Sequence, residues 1–202
     1  MPSIEKTIAS RIESRKRGAC FTPNAFLDLG SPEAVRIALH RLEKRGDVRR
    51  LARGLYDFPI HHPTIGLLSP NPDKVAKALS ERDASRLQPS GAYAANVLGL
   101  SEQVPARIVF LTDGPARHVK IGRQEIVLKN TTTRNMATAG TTSGTVIQAL
   151  RHLGARQTNQ NHVAHLRRTL SARDRAQLKQ DRIYAPGWMN RIIDAIAEDT
   201  HA

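Results

Sequence analysis

Residues 31–58 place a proline-opened helix directly before a glycine-tipped basic hairpin, and that order leaves few folds open. Ser31-Pro32-Glu33 combines a hydroxyl N-cap, a proline whose missing N–H costs nothing in the first turn, and a carboxylate favoured by the helix dipole. Val35, Ala38, Leu39 and Leu42 then recur at helical spacing and form one apolar stripe. Glu33, Arg36, Ile37, His40, Arg41 and Lys44 fall on the opposite face, and Gly46 stops the helix. Val48-Arg49-Arg50-Leu51 and Leu55-Tyr56-Asp57-Phe58 flank Ala52-Arg53-Gly54, two strand-like runs around a glycine turn.

Upstream, Thr22-Pro23-Asn24 opens a short helix to Leu29, with Gly30 as its left-handed terminal residue. Residues 3–17 read as an amphipathic helix, capped by Ser3, with Ile4, Ile8 and Ile12 on the face that packs against the apolar stripe. Helix, turn, helix and basic hairpin predict an N-terminal winged helix-turn-helix. A helix of this diameter fits the major groove, its N-terminal residues nearest the base edges. Arg36, Ile37 and His40 are expected at base edges, with Ser31 and Glu33 at the helix start. Arg41, Lys44, Arg49 and Arg53 are expected on phosphates or in the minor groove. Arg15-Lys16-Arg17 either touch phosphate or complement the dipole at a helix end. The plainer reading of the whole stretch is a helical hairpin that contacts protein while its basic face is solvated.

Charge decides which partner class to weigh first. The formal net charge is +13 over 202 residues, and an excess of that size favours a polyanion, most often nucleic acid. Residues 1–60 hold 12 basic and 7 acidic side chains and the remainder 19 and 11, so the excess is not confined to the helix and hairpin. Aromatic residues are only 4% of the chain, so the cores rest on Leu, Ile, Val and Ala. The same scarcity argues against single-stranded RNA, whose recognition leans on stacking. RNA binding by the basic C-terminal helices stays as an alternative, with Arg167, Arg168 and Arg175 as candidates. A single cysteine, Cys20, rules out an intrachain disulfide and a Cys-rich zinc module, and reads as a small core residue. No signal-like apolar segment opens the chain and no window approaches a membrane span, which predicts a cytoplasmic protein.

The expected fold class is α+β in two domains. Residues 1–60 form the DNA-binding head. Residues 61–72, with Pro59 just before them and Pro63, Gly66, Pro70 and Pro72 inside, form a linker. Residues 73–202 form a second domain: a helix from Asn71-Pro72-Asp73 to about Arg86, a short helix over 90–98 ending at Gly99, then a small antiparallel sheet from 107–112, 118–121 and 124–129. Ile121-Gly122-Arg123-Gln124 is its tight hairpin. Residues 130–144 read as a loop or a strand and loop. C-terminal helices follow over 145–153, 159–170 and 171–182, and from Pro186, with Trp188, Ile192, Ile193 and Ile196 on one side.

Catalytic constellations are absent from this pattern. There is no phosphate-cradling Gly-Lys-Ser/Thr loop, no Gly-x-Ser-x-Gly elbow and no His-Glu-x-x-His. Asp113 has no second carboxylate at short spacing and sits in ordinary Asp-Gly-Pro turn chemistry. His61-His62 lack a third ligand, and His152, His162 and His165 read more simply as polar helix faces than as a metal site. The expectation is a non-enzyme without cofactor or metal.

Ala34-Val-Arg-Ile-Ala-Leu-His-Arg-Leu42, Gly46 and Val48-Arg-Arg-Leu-Ala-Arg-Gly-Leu-Tyr56 together resemble the winged-helix head of the AbiEi-like type IV antitoxins. The likeness continues through Pro89-Ser-Gly-Ala-Tyr-Ala-Ala-Asn-Val-Leu-Gly-Leu-Ser101, Gln103-Val-Pro105 and Ile108-Val-Phe-Leu-Thr112, and is firmer to Asn130 than beyond. The resemblance implies a two-domain antitoxin that binds operator repeats in double-stranded DNA and represses its own promoter. It further implies a second domain that antagonises a nucleotidyltransferase toxin without a tight complex, by a chain that is not an enzyme. A stand-alone transcriptional regulator would carry the same head, and would bind its operator as a monomer or a dimer.

Overall fold

In the computed structural model, which describes residues 3–198, the chain is a mixture of helices and small sheets of the α+β class. Its contacts divide it into two units, the chain up to Ala84 with Val119–Gly122, and Ser85–His118 with the chain from Arg123 onward.

The first unit runs α1 (Ile4–Glu13), β1 (Cys20–Phe21), a 3₁₀ turn (Pro23–Phe26), α2 (Pro32–Arg45), β2 (Arg49–Ala52), β3 (Leu55–Asp57), β4 (His61–His62), β5 (Gly66–Leu67) and α3 (Pro72–Glu81). Ser3 caps α1 by accepting from the Lys6 amide, and Ser31 caps α2 by accepting from the Ala34 amide at 3.3 Å. Gly46 ends α2 at φ +81°, a conformation that a Cβ would penalise. Ile8 and Ile12 of α1 and Val35, Ala38, Leu39 and Leu42 of α2 close on Phe21, Phe26, Val48 and Tyr56 in one core. Phe21 meets Phe26 edge-on at 5.4 Å, the arrangement that ring quadrupoles favour.

Several expectations are corrected in this unit. The segment over 22–29 is a 3₁₀ turn rather than an α-helix. Gly30 is not left-handed; it packs closely against the end of the Ile4 side chain, which a Cβ there would displace. The hairpin acquires a third strand, because β1 pairs with β3 to give the antiparallel order β1-β3-β2. Residues 61–72 are not a bare linker: β4 and β5 form a small antiparallel hairpin. The boundary also moves, since α3 belongs to the first unit and the division falls between Ala84 and Ser85. Val75, Ala76, Ala78 and Leu79 of α3 are buried, α3 lies against β1, and breaker density alone could not show that.

From Ser85 onward come β6 (Leu87–Ser90), α4 (Gly91–Val97), β7 (Arg107–Thr112), β8 (Arg117–Ile121, of which Val119–Ile121 group with the first unit), β9 (Gln124–Asn130), α5 (Thr133–Met136), α6 (Thr142–Gln157), α7 (Gln160–Thr169), α8 (Ala172–Asp181) and α9 (Asn190–Ala197). Sheet order is β6-β7-β9-β8. The antiparallel sheet expected from β7, β8 and β9 is corrected: β7 and β9 run parallel in the register Ile108↔Ile126 and Phe110↔Leu128, and the antiparallel neighbour of β7 is β6. Those four side chains are buried, and an apolar run of this kind suits a central parallel pair as well as a hairpin. β6 was not foreseen because it contains Pro89; as an edge strand it tolerates the missing donor. α6 starts at Thr142, capped by Thr141, and breaks at Gly154. α5 lies within the stretch read as loop. Trp188 is not core: it is 39% exposed on a 3₁₀ turn, and Met189 beside it is buried with Ile193 and Ile196.

The N-terminal turns of α6 are enclosed on every side, and a Cβ at Gly144 would stand 2.2 Å from the Thr138 carbonyl oxygen and 2.5 Å from Gln88 Oε1. Gly144→Ala is therefore expected to cost about 1–3 kcal/mol of stability, read from the urea unfolding midpoint. Burial pushes the Cys20 thiol up to about 12. At pH 8 the native chain should leave a thiol reagent unconsumed, and the urea-unfolded chain should consume one equivalent.

Candidate nucleic-acid interface

The buried stripe of α2 turns the helix so that Arg36, Ile37, His40 and Arg41 face outward. With Pro23 and with Arg50, Arg53, Gly54 and Tyr56 of the hairpin region they line one groove of about 500 Å³. Arg36 is held only by Glu33 at 3.7 Å, a largely solvated pair, and His40 lies 3.6 Å from the half-buried Glu43. Exposed pairs of this length contribute little, so both side chains are free to swing. Ile37 is 46% exposed between them, a large aliphatic group that the fold does not use. Burial pushes the Tyr56 hydroxyl upward in pKa, further from a neutral pH at which a phenol is uncharged in any case.

Five of the nine expected contact residues thus share the groove: Arg36, Ile37, His40, Arg41 and Arg53. The other four do not. Ser31 is spent as the α2 cap, Glu33 stands exposed beside Arg36, and Lys44 is exposed in the last turn, away from the groove lining. Arg49 is the clear correction. It grips the buried Asp57 with two bonds of 3.0 and 2.6 Å and donates to the Leu68 carbonyl at 3.0 Å. Asp57 is 1% exposed, so this guanidinium is a structural counterion. Arg50 takes the place meant for it. Strand alternation puts the two on opposite faces without saying which is buried, and the Asp57 carboxylate decides that.

Arg41 is also partly engaged. Glu5 of α1 accepts from Arg41 at 3.3 Å and from Arg45, which additionally bonds Asp47 at 2.9 Å. Arg15 and the exposed Arg17 both lie over aromatic faces. Arg15 lies 5.7 and 5.5 Å from the Phe21 and Phe26 rings, and Arg17 lies 4.4 Å from Phe58 while donating to the Pro59 carbonyl.

Other residues singled out by pattern have local duties. Asp113 accepts from the Arg86 amide and from Arg86 Nε, both at 2.8 Å, and that guanidinium holds its carboxyl below the usual range. His162 completes the capping box of α7 with Asn159, and His165 Nε2 lies 2.9 Å from the Leu98 carbonyl. Among the described residues no group of three His, Cys, Asp or Glu side chains is placed to hold a metal ion, and no helix is long and apolar enough to cross a membrane. Arg175 donates to the carbonyls of Arg167 and Leu170, which ties it to the turn between α7 and α8.

Residues 7–178 match a family model described as a family of unknown function, DUF6088. The chain belongs to that family. A search of curated proteins finds no match. Among solved structures, the crystal structure of RV2827C protein from Mycobacterium tuberculosis is similar over 98% of this chain and 78% of that one, with a TM-score of 0.51 and 16% identity. At that identity the likeness speaks to fold alone, and membership of the family brings no site residue with it.

The two neighbouring arginines of β2 should behave oppositely. Arg49→Ala strands the Asp57 carboxylate and should cost about 3–5 kcal/mol in urea unfolding. Arg50→Ala removes an exposed side chain and should stay within about 0.5 kcal/mol of the wild type.

Proposed function

We propose that the protein is a sequence-specific double-stranded DNA-binding repressor whose first unit is a winged helix-turn-helix. The observation that carries this reading is the groove between α2 and the hairpin, where loosely held cations and one exposed aliphatic side chain converge. A major groove offers complementary groups: guanine O6 and N7 for Arg36, and the thymine methyl for Ile37. Arg50 and Arg53 on the hairpin suit the flanking phosphates. Glu33 and Glu43 on the same helix would disfavour loose, non-specific phosphate contact and so sharpen the preference for the right bases.

The same reading, together with the resemblance to the AbiEi-like type IV antitoxins, makes the chain the antitoxin of a toxin–antitoxin pair. In that reading it represses its own promoter from the first unit and antagonises a nucleotidyltransferase toxin from the second, without enzymatic activity of its own. The cytoplasm is the compartment where both tasks would be done.

Sequences selected from random duplexes by the wild type supply the test. Arg36→Ala should flatten the selected preference, losing about 1–3 kcal/mol of discrimination at one base pair. Arg53→Ala should weaken all duplexes alike and reduce the slope of log affinity against log salt by about one. Unchanged preference and affinity in Arg36→Ala would remove α2 from the interface. Glu5→Gln, which releases Arg41 and Arg45, should tighten duplex binding by up to about 1 kcal/mol. For the antitoxin role, the Arg36→Ala, Arg53→Ala double variant should still rescue growth from a co-expressed cognate toxin while failing to repress the promoter. Loss of rescue in a folded double variant would sink the division of labour between the units.

A further inference from the structure

Two guanidinium groups of the second unit meet at the turn that follows α8. Arg134 on α5 donates to the Ile183 carbonyl at 3.1 Å, and Arg151 on α6 donates to the Tyr184 carbonyl at 3.2 Å. The acceptors are consecutive residues of the 3₁₀ turn Arg182–Tyr184, so two cations from different helices are brought side by side. Each uses one Nη2–H on these carbonyls, although an arginine has five N–H donors. Arg151 is half-buried, and its Nε–H is buried with no acceptor.

Like charges placed together need a counterion, and the neighbouring carboxylates are already spent. Asp181 is buried and accepts from Ser143 and from Gln177. Asp194 accepts from Arg182 at 2.7 Å. Burial and then Arg134 are what push Arg151 below the ordinary arginine range, and no carboxylate acts against them. The surroundings add to the excess, since the chain from Ser85 onward holds 16 basic and 8 acidic side chains.

We propose that Arg134 and Arg151 form a phosphate-binding site on the second unit, separate from the groove of the first. The idle N–H groups of two guanidinium forks suit an anion with three or more acceptor oxygens and a charge near −2, which can bridge both cations at once. A carboxylate has two oxygens and one charge, which a single fork already satisfies. The phosphate is either part of a nucleic-acid backbone or carried by a free nucleotide, and the two sources share this chemistry.

The site is tested on the full chain by thermal shift, with inorganic phosphate titrated against sodium chloride at equal ionic strength. The wild type should be stabilised saturably. Arg134→Gln, an exposed change that leaves the fold intact, should raise the half-saturating concentration about tenfold or more through loss of a charge-assisted fork. Arg151→Lys keeps the positive charge but lacks the Nε–H and should be weakened as well. Arg53→Ala, which alters the groove of the first unit, should keep the wild-type response. No phosphate response in the wild type, or an equal response in Arg134→Gln, would overturn the site. Two further titrations identify the source. If the backbone of duplex DNA supplies the phosphate, Arg134→Gln lowers the salt slope of duplex binding by about one. If a nucleotide supplies it, a nucleoside triphosphate half-saturates the wild type below inorganic phosphate and loses that advantage in Arg134→Gln. Should neither ligand respond to Arg134→Gln, the proposal is wrong.

Discussion

The burial of Val35, Ala38, Leu39 and Leu42 against α1 and the β1-β3-β2 sheet sets the orientation of α2, and most of the first unit's surface chemistry follows from it. A helix has one rotational setting that hides such a stripe, and at roughly 25 cal/mol per Å² of apolar area no other setting competes. With that face committed, Arg36, Ile37 and His40 have nowhere to go but outward. The hairpin is held in place by a second commitment. Asp57 is buried in β3, and a carboxylate there is tolerable only because Arg49 meets it with two bonds. The groove is thus what remains after a hydrophobic stripe and one buried ion pair have been satisfied.

Arginine plays several distinct parts in this unit, and the partners decide which. Arg49 neutralises a buried carboxylate, Arg15 and Arg17 lie over aromatic rings, Arg41 and Arg45 share Glu5, and Arg36, Arg50 and Arg53 stand at the groove. A net positive charge therefore overstates the free cationic surface. The second unit shows the converse. Arg134 and Arg151 are bound only to carbonyls, which satisfies hydrogen bonding but leaves the charge uncompensated.

Local signals carried far in this chain where the physics is local. Ser31-Pro32-Glu33 opens α2, Gly46 closes it, Gly154 breaks α6, and Asn159 and Ser171 cap α7 and α8. Each of these rests on contacts within four residues. Signals that depend on distant partners were illegible. The packing of α3 on β1 and the parallel pairing of β7 with β9 join residues far apart in the chain. The slip at Trp188 has a similar origin, because a 3₁₀ turn rotates its residues by a different angle from the α-helix assumed for them, and Met189 faces the core instead.

By itself, then, the amino-acid order determined where most of the longer helices lie, how α2 starts and stops, and that one helix with a basic outer face would precede a basic hairpin. Those outcomes depend on caps, periodicity and backbone conformation, all written within a few consecutive residues. Only the tertiary structure decided which arginine of an adjacent pair is left at the surface, where one unit ends, and which two cations of the second unit come together without a carboxylate. Charges act through space, and distance in space is not a property of the sequence until the chain has packed.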